Sequence, residues 1–168
     1  MLTKKIYGLI GRNIDYSFSK KYFTQKFKSD KIDNCEYLNF DIDQISDFKK
    51  INLSNINGFN VTIPYKEKII GYLDQVDESV KNIGAVNTIK ILNNKLIGYN
   101  TDYLGFINSF SIKLDYKNAL ILGSGGASKA IQYALKSKKV KFNVVSRKRD
   151  INQIDYSQIE SLEKYDLI

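Results

Sequence analysis

The stretch ALILGSGGAS, residues 119–128, decides the fold of the second half of this chain. Its four apolar residues predict a buried strand, its glycines predict a tight turn, and the residues up to Lys136 follow a helical pattern. A second apolar run spans Phe142 to Val145, and a third begins at Asp166. Strand, glycine turn, helix and strand in this order are typical of a doubly wound parallel sheet.

The glycine turn is a candidate dinucleotide site. Its first glycine permits the bend, its second lets a pyrophosphate approach the backbone, and the amides of the following helix meet the phosphate charge. The candidate cofactor-binding residues here are Gly123, Ser124, Gly125, Gly126 and Ala127. Because Ser128 stands where a third glycine or alanine is usual, a turn with a purely structural role is the alternative.

The end of the second apolar run bears on which dinucleotide binds. NAD-binding proteins usually carry an acidic residue about 20 positions after the glycines, but this chain reads Ser146-Arg147-Lys148-Arg149 there. No carboxylate is available for the ribose hydroxyls, whereas the planar guanidinium of Arg147 suits a 2′-phosphate. We therefore predict NADP as the cofactor, with Ser146, Arg147 and Lys148 among its ligands; a solvated basic turn is the alternative.

The first half of the chain predicts a separate α/β domain. Apolar patterns predict strands at Lys5–Ile10, Glu36–Ile42 and Gly58–Ile63. Phe23 and Phe27, four residues apart, predict a helix over Lys20–Lys28. Asn93-Asn94 between two β-type runs predicts a tight hairpin. The composition changes within Asn108–Lys117, so we predict domains at residues 1–110 and 111–168.

Composition limits the chemistry. The 168 residues include no histidine and one cysteine, Cys35. This composition excludes Ser-His-Asp catalysis, histidine-ligated zinc and multi-cysteine metal clusters, and we expect no metal site. Proton transfer then falls to Lys, Asp, Glu or Tyr. A single cysteine in a strand-like stretch predicts a buried or interface thiol in a reducing cytoplasm.

Hydropathy and charge bear on partners. No apolar run approaches the roughly 20 residues that span a bilayer, so we expect a soluble protein without a membrane partner. The formal net charge is +8, but the lysines are scattered and no nucleic-acid module is recognisable. We expect no nucleic-acid partner. The excess charge either steers small anionic ligands towards the protein or is simply a lysine-rich surface.

Two polar segments are candidates for chemistry. NVTIPYK, residues 60–66, contains the only proline and presents Lys66 after a strand, as an acid or base or as an ordinary surface lysine. In Ser17-Phe18-Ser19 the second serine is placed to cap the following helix; alternatively, both hydroxyls and the helix N-terminus hold an anion such as a carboxylate. Thr101 or Asp102 is predicted to cap a later helix.

Taken together, the motifs resemble those of the shikimate dehydrogenases. Six of them occur in family order with comparable spacing: Tyr7–Gly11 (YGLIG), Ser17–Ser19 (SFS), Asn60–Lys66 (NVTIPYK), Gly84–Thr88 (GAVNT), Gly98–Asp102 (GYNTD) and the glycine turn. The resemblance extends over essentially the whole chain. It implies an N-terminal α/β substrate domain followed by the first part of a Rossmann-type doubly wound dinucleotide-binding domain.

The same resemblance implies the activity and the residue roles. The expected reaction is the reversible, NADPH-dependent reduction of 3-dehydroshikimate to shikimate in aromatic amino-acid biosynthesis. Lys66 matches the family's catalytic lysine and Asp102 its partner. The serines match those that hold the substrate carboxylate, and the groups matching those around the ring hydroxyls are Asn60, Thr62, Lys66, Asn87 and Asp102. Glu78 matches a position that lies near the cofactor in some members.

The chain departs from the family pattern at several places. Residues 12–21 lack the proline and histidine often found around the paired serines, and Ser146 replaces the usual asparagine. The sequence stops at Ile168, as a third strand of the second sheet is predicted to begin. A quinate/shikimate dehydrogenase that uses NAD, and an inactive substrate-binding fragment, are the alternative functions; a homodimer is left open.

These departures give the first prediction. Since the resemblance assigns the nicotinamide contacts and a substrate-binding glutamine to segments after residue 168, the 168-residue chain should bind NADP weakly and oxidise shikimate slowly or not at all. NADPH formation, followed by absorbance with shikimate and NADP in excess, measures this turnover. Rapid NADP-dependent oxidation by this chain would contradict the prediction.

Overall fold

The computed structural model describes residues 4–109, 116–147, 153–159 and 161–168. The chain divides into two compact units. The first runs to Lys81 and resumes from Val86 to Tyr99, and the second takes Asn82–Ala85 and the chain from Asn100 onward. The predicted domain boundary between residues 110 and 111 falls outside the described residues and stays a prediction.

The first unit is built on a six-stranded mixed sheet. Its strands are β1 (Lys5–Gly11), β2 (Cys35–Asp41), β3 (Ile56–Val61), β4 (Gln75–Val76), β5 (Thr88–Leu92) and β6 (Lys95–Tyr99), in the order β2-β1-β3-β5-β6-β4. β1 pairs in parallel with both β2 and β3, so the carboxyl ends of these three strands lie at one edge of the sheet. The two-residue β4 was not predicted, because so short a segment has no readable alternation.

Both faces of this sheet carry apolar side chains. Helix α1 (Phe18–Ser29) packs Phe23 and Phe27 against Tyr7, Leu9 and Tyr37. On the other face, β-strand residues such as Ile10, Phe59 and Ile89 form the main core with two 3₁₀ segments, Ile45–Lys50 and Lys68–Tyr72. The predicted helix at Lys20–Lys28 is therefore confirmed, within α1.

Helix α2 (Glu78–Ile83) is followed by a glycine and then by the β5–β6 hairpin. Gly84, which ends α2, has a φ of +73°, a conformation that favours glycine at a helix C-terminus. Asn93 and Asn94, with φ values of 50° and 60°, connect β5 to β6. Positive φ at both central residues is the type I′ geometry of two-residue hairpins, so the predicted hairpin is confirmed.

The second unit contains a three-stranded parallel sheet. Its elements are α3 (Asp102–Ser109), β7 (Asn118–Leu122), α4 (Gly126–Ser137), β8 (Lys141–Val145) and β9 (Gln153–Ile154), with a 3₁₀ turn at Tyr156–Gln158. The strand order is β7-β8-β9. Strand β7, the glycine turn and α4 form the predicted βαβ opening. Among the described residues, no helix has both the length and the apolar content needed to cross a bilayer.

The order of the later strands differs from the prediction. We expected the third strand of this sheet to begin at Asp166, but Gln153–Ile154 occupies that place beside β8. Leu167 forms a parallel bridge with Ala119, on the edge of β7 that β8 leaves open. The strand order therefore reverses at β7, which is where doubly wound sheets bind their ligands.

Gly8 offers a test of the packing in the first unit. A Cβ at this position would lie 2.4 Å from the Phe40 ring and 2.7 Å from the Leu38 carbonyl oxygen. Gly8→Ala should lower the free energy of unfolding by about 1–3 kcal/mol, measured by urea denaturation, because overpacking forces neighbours to move.

Gly71→Ala is the matched control, since a Cβ there meets nothing within 4 Å. Its free energy of unfolding should stay within about 1 kcal/mol of the wild-type value, in the stabilising direction. Equal effects of the two substitutions would contradict the packing described here.

Candidate active site

The paired serines lie where β1 passes into α1. Ser17, with extended backbone angles, is the N-cap of α1, and its Oγ accepts a hydrogen bond from the Ser19 amide at 3.3 Å. Our prediction that Ser19 is the cap was wrong, because the helix begins at Phe18. The spacing of Phe23 and Phe27 predicts a helix but does not show where it starts. Both serines are half-buried and lie in the first turn of the helix, where backbone N–H groups attract anions.

The loop that leads to these serines is held by Asp41, the last residue of β2. Its two carboxylate oxygens accept hydrogen bonds from the amides of Asn13 and Ile14, each at 2.9 Å. Ile14 is fully buried, and its carbonyl oxygen accepts a hydrogen bond from the Ser17 amide at 2.9 Å. Asp41 therefore fixes the backbone that presents the serines. The only sequence signal for it is its place at the end of a strand.

The segment Asn60–Lys66 continues from β3 and is anchored on both sides of its proline. The Thr62 amide donates to the Ile10 carbonyl oxygen at 2.9 Å, which ties Thr62 to the end of β1. After the cis Ile63–Pro64 bond, the buried Tyr65 donates its hydroxyl proton to the Ile42 carbonyl oxygen at 2.7 Å. These bonds hold the backbone on either side of the turn that leads to Lys66.

Lys66 itself is half-buried, and its carbonyl oxygen accepts a hydrogen bond from the Val86 amide at 2.7 Å. Val86 precedes Asn87, whose amide donates to Tyr99 and whose carbonyl oxygen accepts from Val61. The predicted lysine and the predicted asparagine are therefore joined through neighbouring backbone groups. This link lies within the first unit.

Polar side chains form a hydrogen-bonded row across the same unit. The Tyr37 hydroxyl donates to Asn60 Oδ1 at 2.8 Å, Asn60 Nδ2 donates to Thr88 Oγ1 at 3.5 Å, and the Thr88 hydroxyl donates to Asn87 Oδ1 at 3.0 Å. Burial raises the pKa of Tyr37 well above its usual range, and a hydrogen bond with the Ser19 side chain opposes this shift. Tyr37 and Thr88 are members of the row that we did not predict.

An open groove of about 760 Å³ lies on the side of the sheet against which α1 packs. Tyr37, Asn60 and Thr88 line it, together with aromatic side chains of α1 such as Phe23 and Phe27. The groove thus combines an apolar wall with a short row of polar groups, which is the usual composition of a small-molecule site.

Asp102 lies in the second unit, as the first residue of α3. Asn100 contacts the start of this helix: its Oδ1 accepts hydrogen bonds from the amides of Asp102 at 3.0 Å and Tyr103 at 3.4 Å. Asn100 is buried, and its Nδ2 donates to the Ala85 carbonyl oxygen at 2.9 Å. Asn100 therefore helps to fix the backbone position of Asp102, and Thr101, one of the two residues predicted to cap this helix, directly precedes it.

The glycine turn has the geometry expected of a phosphate-binding loop. Gly123 has a φ of +111°, and its amide donates to the Val145 carbonyl oxygen at 2.8 Å, which ties the turn to the end of β8. Gly125 is the N-cap of α4. A Cβ built on either glycine meets nothing within 4 Å, so the backbone here is open to a ligand. Ser128 is buried within α4 and takes the third-glycine place without breaking the helix.

The other predicted cofactor residues are placed as follows. The hydroxyls of Ser124 and Ser146 are hydrogen-bonded to each other at 2.9 Å, which joins the glycine turn to the residue after β8. Arg147 follows and is exposed, as a ligand of a 2′-phosphate must be. Lys148 lies outside the described residues. The described donors of the turn fit a dinucleotide phosphate.

Glu78, the last of the predicted cofactor residues, lies in the first unit. It begins α2 and forms an ion pair with Lys81 at 2.9 Å.

Comparisons with known proteins agree with this geometry. The family model of the shikimate dehydrogenase substrate binding domain matches residues 9–89. The NADP(+) shikimate dehydrogenase of Clostridium botulinum strain Hall is 42% identical over 176 aligned residues, which cover 96% of this chain and 68% of that protein.

Solved structures show the same relationship. Shikimate dehydrogenase 1 from Peptoclostridium difficile superposes with a TM-score of 0.81 at 38% identity, over 92% of this chain and 62% of that one. The enzyme from Thermus thermophilus, solved with NADP(H) and shikimate, superposes with a TM-score of 0.75 at 28% identity, over 85% of this chain and 56% of that one.

The fold places this chain in a class of α/β proteins that join a mixed-sheet unit to a nucleotide-binding parallel sheet. Within that class, it belongs to the shikimate dehydrogenase family. The chain spans about two thirds of the length of the relatives it matches: 68% of the C. botulinum protein and 62% of the P. difficile chain.

Asp41 provides a test of how the serine loop is held. Asp41→Ala removes both acceptors, so the Asn13 and Ile14 amides should exchange with deuterium at least several-fold faster, and the free energy of unfolding should fall by about 1 kcal/mol. Amide exchange followed by NMR measures the first effect and urea denaturation the second.

The control for this substitution is Asp43→Ala, at an exposed carboxylate two residues further on. It should leave exchange in the serine loop unchanged. If Asn13 and Ile14 exchange at wild-type rates in Asp41→Ala, the loop is held by other contacts.

Proposed function

We propose that this chain carries the substrate-binding part and the first strands of the NADP-binding part of a shikimate dehydrogenase, which reduces 3-dehydroshikimate reversibly to shikimate. The observation that supports this most directly is the set of polar groups in a family member: the serines at the start of α1, the Asn60 amide on β3 and the Asn87 amide directly before β5. The roles below are proposals, since the chain matches only part of each relative.

The substrate carboxylate is assigned to Ser17 and Ser19. Their hydroxyls and the first amides of α1 offer several hydrogen-bond donors, and the positive end of the helix dipole adds to the attraction. The ring hydroxyls are assigned to Asn60, Thr62 and Asn87. Amide and hydroxyl side chains can donate to and accept from hydroxyl groups without adding a charge, and so suit a polyhydroxylated ring.

Proton transfer is assigned to Lys66, with Asp102 as its partner. NADPH supplies the hydride that reduces the ketone carbon. The lysine ammonium can donate a proton to the ketone oxygen as negative charge develops there, and its own charge stabilises that oxygen. The carboxylate of Asp102 would orient the ammonium and accept a hydrogen bond from a substrate hydroxyl. Because the chain has no histidine, a Lys–Asp pair is a reasonable proton-transfer couple.

The cofactor is assigned to the second unit. The turn from Gly123 to Ala127 and the N-terminus of α4 would hold the pyrophosphate. Arg147, with Ser146 and Lys148, would bind the 2′-phosphate that distinguishes NADP from NAD. A role for Glu78 near the cofactor rests on the family resemblance alone.

The proposed function also bears on the ligands' approach, on the cellular compartment and on partners. Both the substrate and NADP are anionic small molecules, and a net charge of +8 favours their approach at low ionic strength. A biosynthetic reductase of this kind belongs in the cytoplasm, where its single cysteine stays reduced. We assign it no nucleic-acid or membrane partner, and a homodimer is compatible with the proposal.

Binding of shikimate tests the proposed function without requiring turnover. Added to ¹⁵N-labelled chain, shikimate should shift the amide resonances of the serine turn and of the Asn60 and Asn87 side chains, with quinate as the comparison ligand. Saturable shifts confined to this region support the proposal. No shift at millimolar shikimate, or shifts only with quinate, would contradict it.

Lys66→Ala tests the assignment of the proton donor. The substitution is made in a chimera that continues this chain with the part of the C. botulinum relative that it does not match. Loss of the general acid should lower kcat by about 10²- to 10⁴-fold with little change in stability. NADPH absorbance and thermal denaturation measure the two effects.

Lys68→Ala is the control for this experiment, because Lys68 is an exposed lysine only two residues away. It should keep kcat within about twofold of the parent, as surface substitutions usually perturb the fold little. An unchanged kcat in Lys66→Ala would remove Lys66 from the proposed catalytic role.

A further inference from the structure

Tyr37 is the first member of the polar row, and none of the sequence motifs includes it. It lies on β2 with 3% of its surface exposed, and Phe23 of α1 stacks on its ring at 4.6 Å between centroids with a 13° interplanar angle. The ring is thus fixed between the helix and the sheet. Its hydroxyl reaches across the sheet to Asn60 on β3.

The hydrogen bonds of this hydroxyl determine which way the Asn60 amide faces. A tyrosine has one proton to donate, and Tyr37 donates it to Asn60 Oδ1 at 2.8 Å. The Asn60 nitrogen then faces Thr88 Oγ1, and the Thr88 proton goes to Asn87 Oδ1. In this arrangement the Asn60 oxygen faces a protein donor, one Asn60 N–H faces Thr88, and the second N–H is the group that Asn60 can offer to a ligand in the groove.

Burial and the neighbouring Ser19 side chain act on this hydroxyl in opposite directions: burial raises the pKa of Tyr37, and Ser19 lowers it by less. Because burial raises the pKa of Tyr37, its proton stays in place throughout the neutral and mildly alkaline range, and the direction of the Asn60 bond is independent of pH there.

We propose that Tyr37 is a positioning residue for substrate: its hydroxyl orients the Asn60 amide so that Asn60 donates a hydrogen bond to a ring hydroxyl of the ligand. This inference rests on the proposed function and adds to it a residue that does not itself contact substrate. It also assigns Asn60 the role of donor, and not acceptor, towards the ligand.

The test uses Tyr37→Phe, which keeps the ring and its stacking on Phe23 and removes only the hydroxyl. Losing one orienting hydrogen bond should raise the Kd for shikimate, measured by NMR titration of the 168-residue chain, by about 3- to 10-fold. In the chimera, KM should rise by a similar factor while kcat changes less than about twofold, since the lost interaction is made equally in ground and transition states.

Two controls separate positioning from a general effect on the fold. Tyr72→Phe makes the same chemical change at a half-buried tyrosine that packs against Phe48 in the main core, outside the groove, and it should leave the Kd unchanged. In an Asn60→Ala background, Tyr37→Phe should have no further effect on the Kd, because Tyr37 acts through Asn60. A ligand-free readout is the Asn60 side-chain NH₂ resonance pair, which should shift in Tyr37→Phe.

The outcomes are distinguishable. Weaker binding in Tyr37→Phe that disappears in the Asn60→Ala background, together with a shifted Asn60 resonance pair, supports the role. The Tyr37 role is overturned if Tyr37→Phe binds shikimate as tightly as the wild-type chain does. It is also overturned if Tyr37→Phe raises the Kd by the same factor with Asn60 as with Ala at position 60. In both cases the proposed function stands. Failure of the wild-type chain to bind shikimate contradicts the proposed function and overturns the Tyr37 role with it.

Discussion

The parallel pairing of β1 with β2 on one side and β3 on the other is the constraint on which the first unit depends. It brings the carboxyl ends of three strands to one edge, where the serine turn follows β1, Asp41 ends β2 and Asn60–Lys66 continues from β3. Residues distant in sequence thereby become neighbours. Because both faces of the sheet pack against apolar side chains, a shift of register would expose buried groups, and the alignment is strongly specified.

Much of the fold could be predicted because its signals are local. The glycine turn with its flanking strand and helix, the Asn93-Asn94 hairpin and Gly84 after α2 each follow from backbone preferences of the residues themselves. The misplaced features depend on tertiary context. Gln153–Ile154 is too short to show alternation, and a strand there exists only because β8 offers a partner edge.

The same division holds for the candidate site. The candidate site residues named from sequence, such as Ser17, Asn60 and Lys66, lie in motifs that resemble those of a known family. The supporting residues, Tyr37, Asp41 and Asn100, were not predicted as such, because their roles depend on hydrogen bonds that span 15 to 28 residues of sequence. Such partners become visible only when the register of the sheet is known.

The Tyr37–Asn60 hydrogen bond has a consequence for selectivity. With the Asn60 oxygen turned towards the Tyr37 hydroxyl, the Asn60 amide is oriented before any ligand arrives. In the proposed role, a ring that carries an oxygen at the matching position would accept from this amide, whereas a ring with a hydrogen there would leave an Asn60 N–H without a partner. Sites of this kind reject deoxy analogues far more strongly than they reject slightly larger or smaller rings.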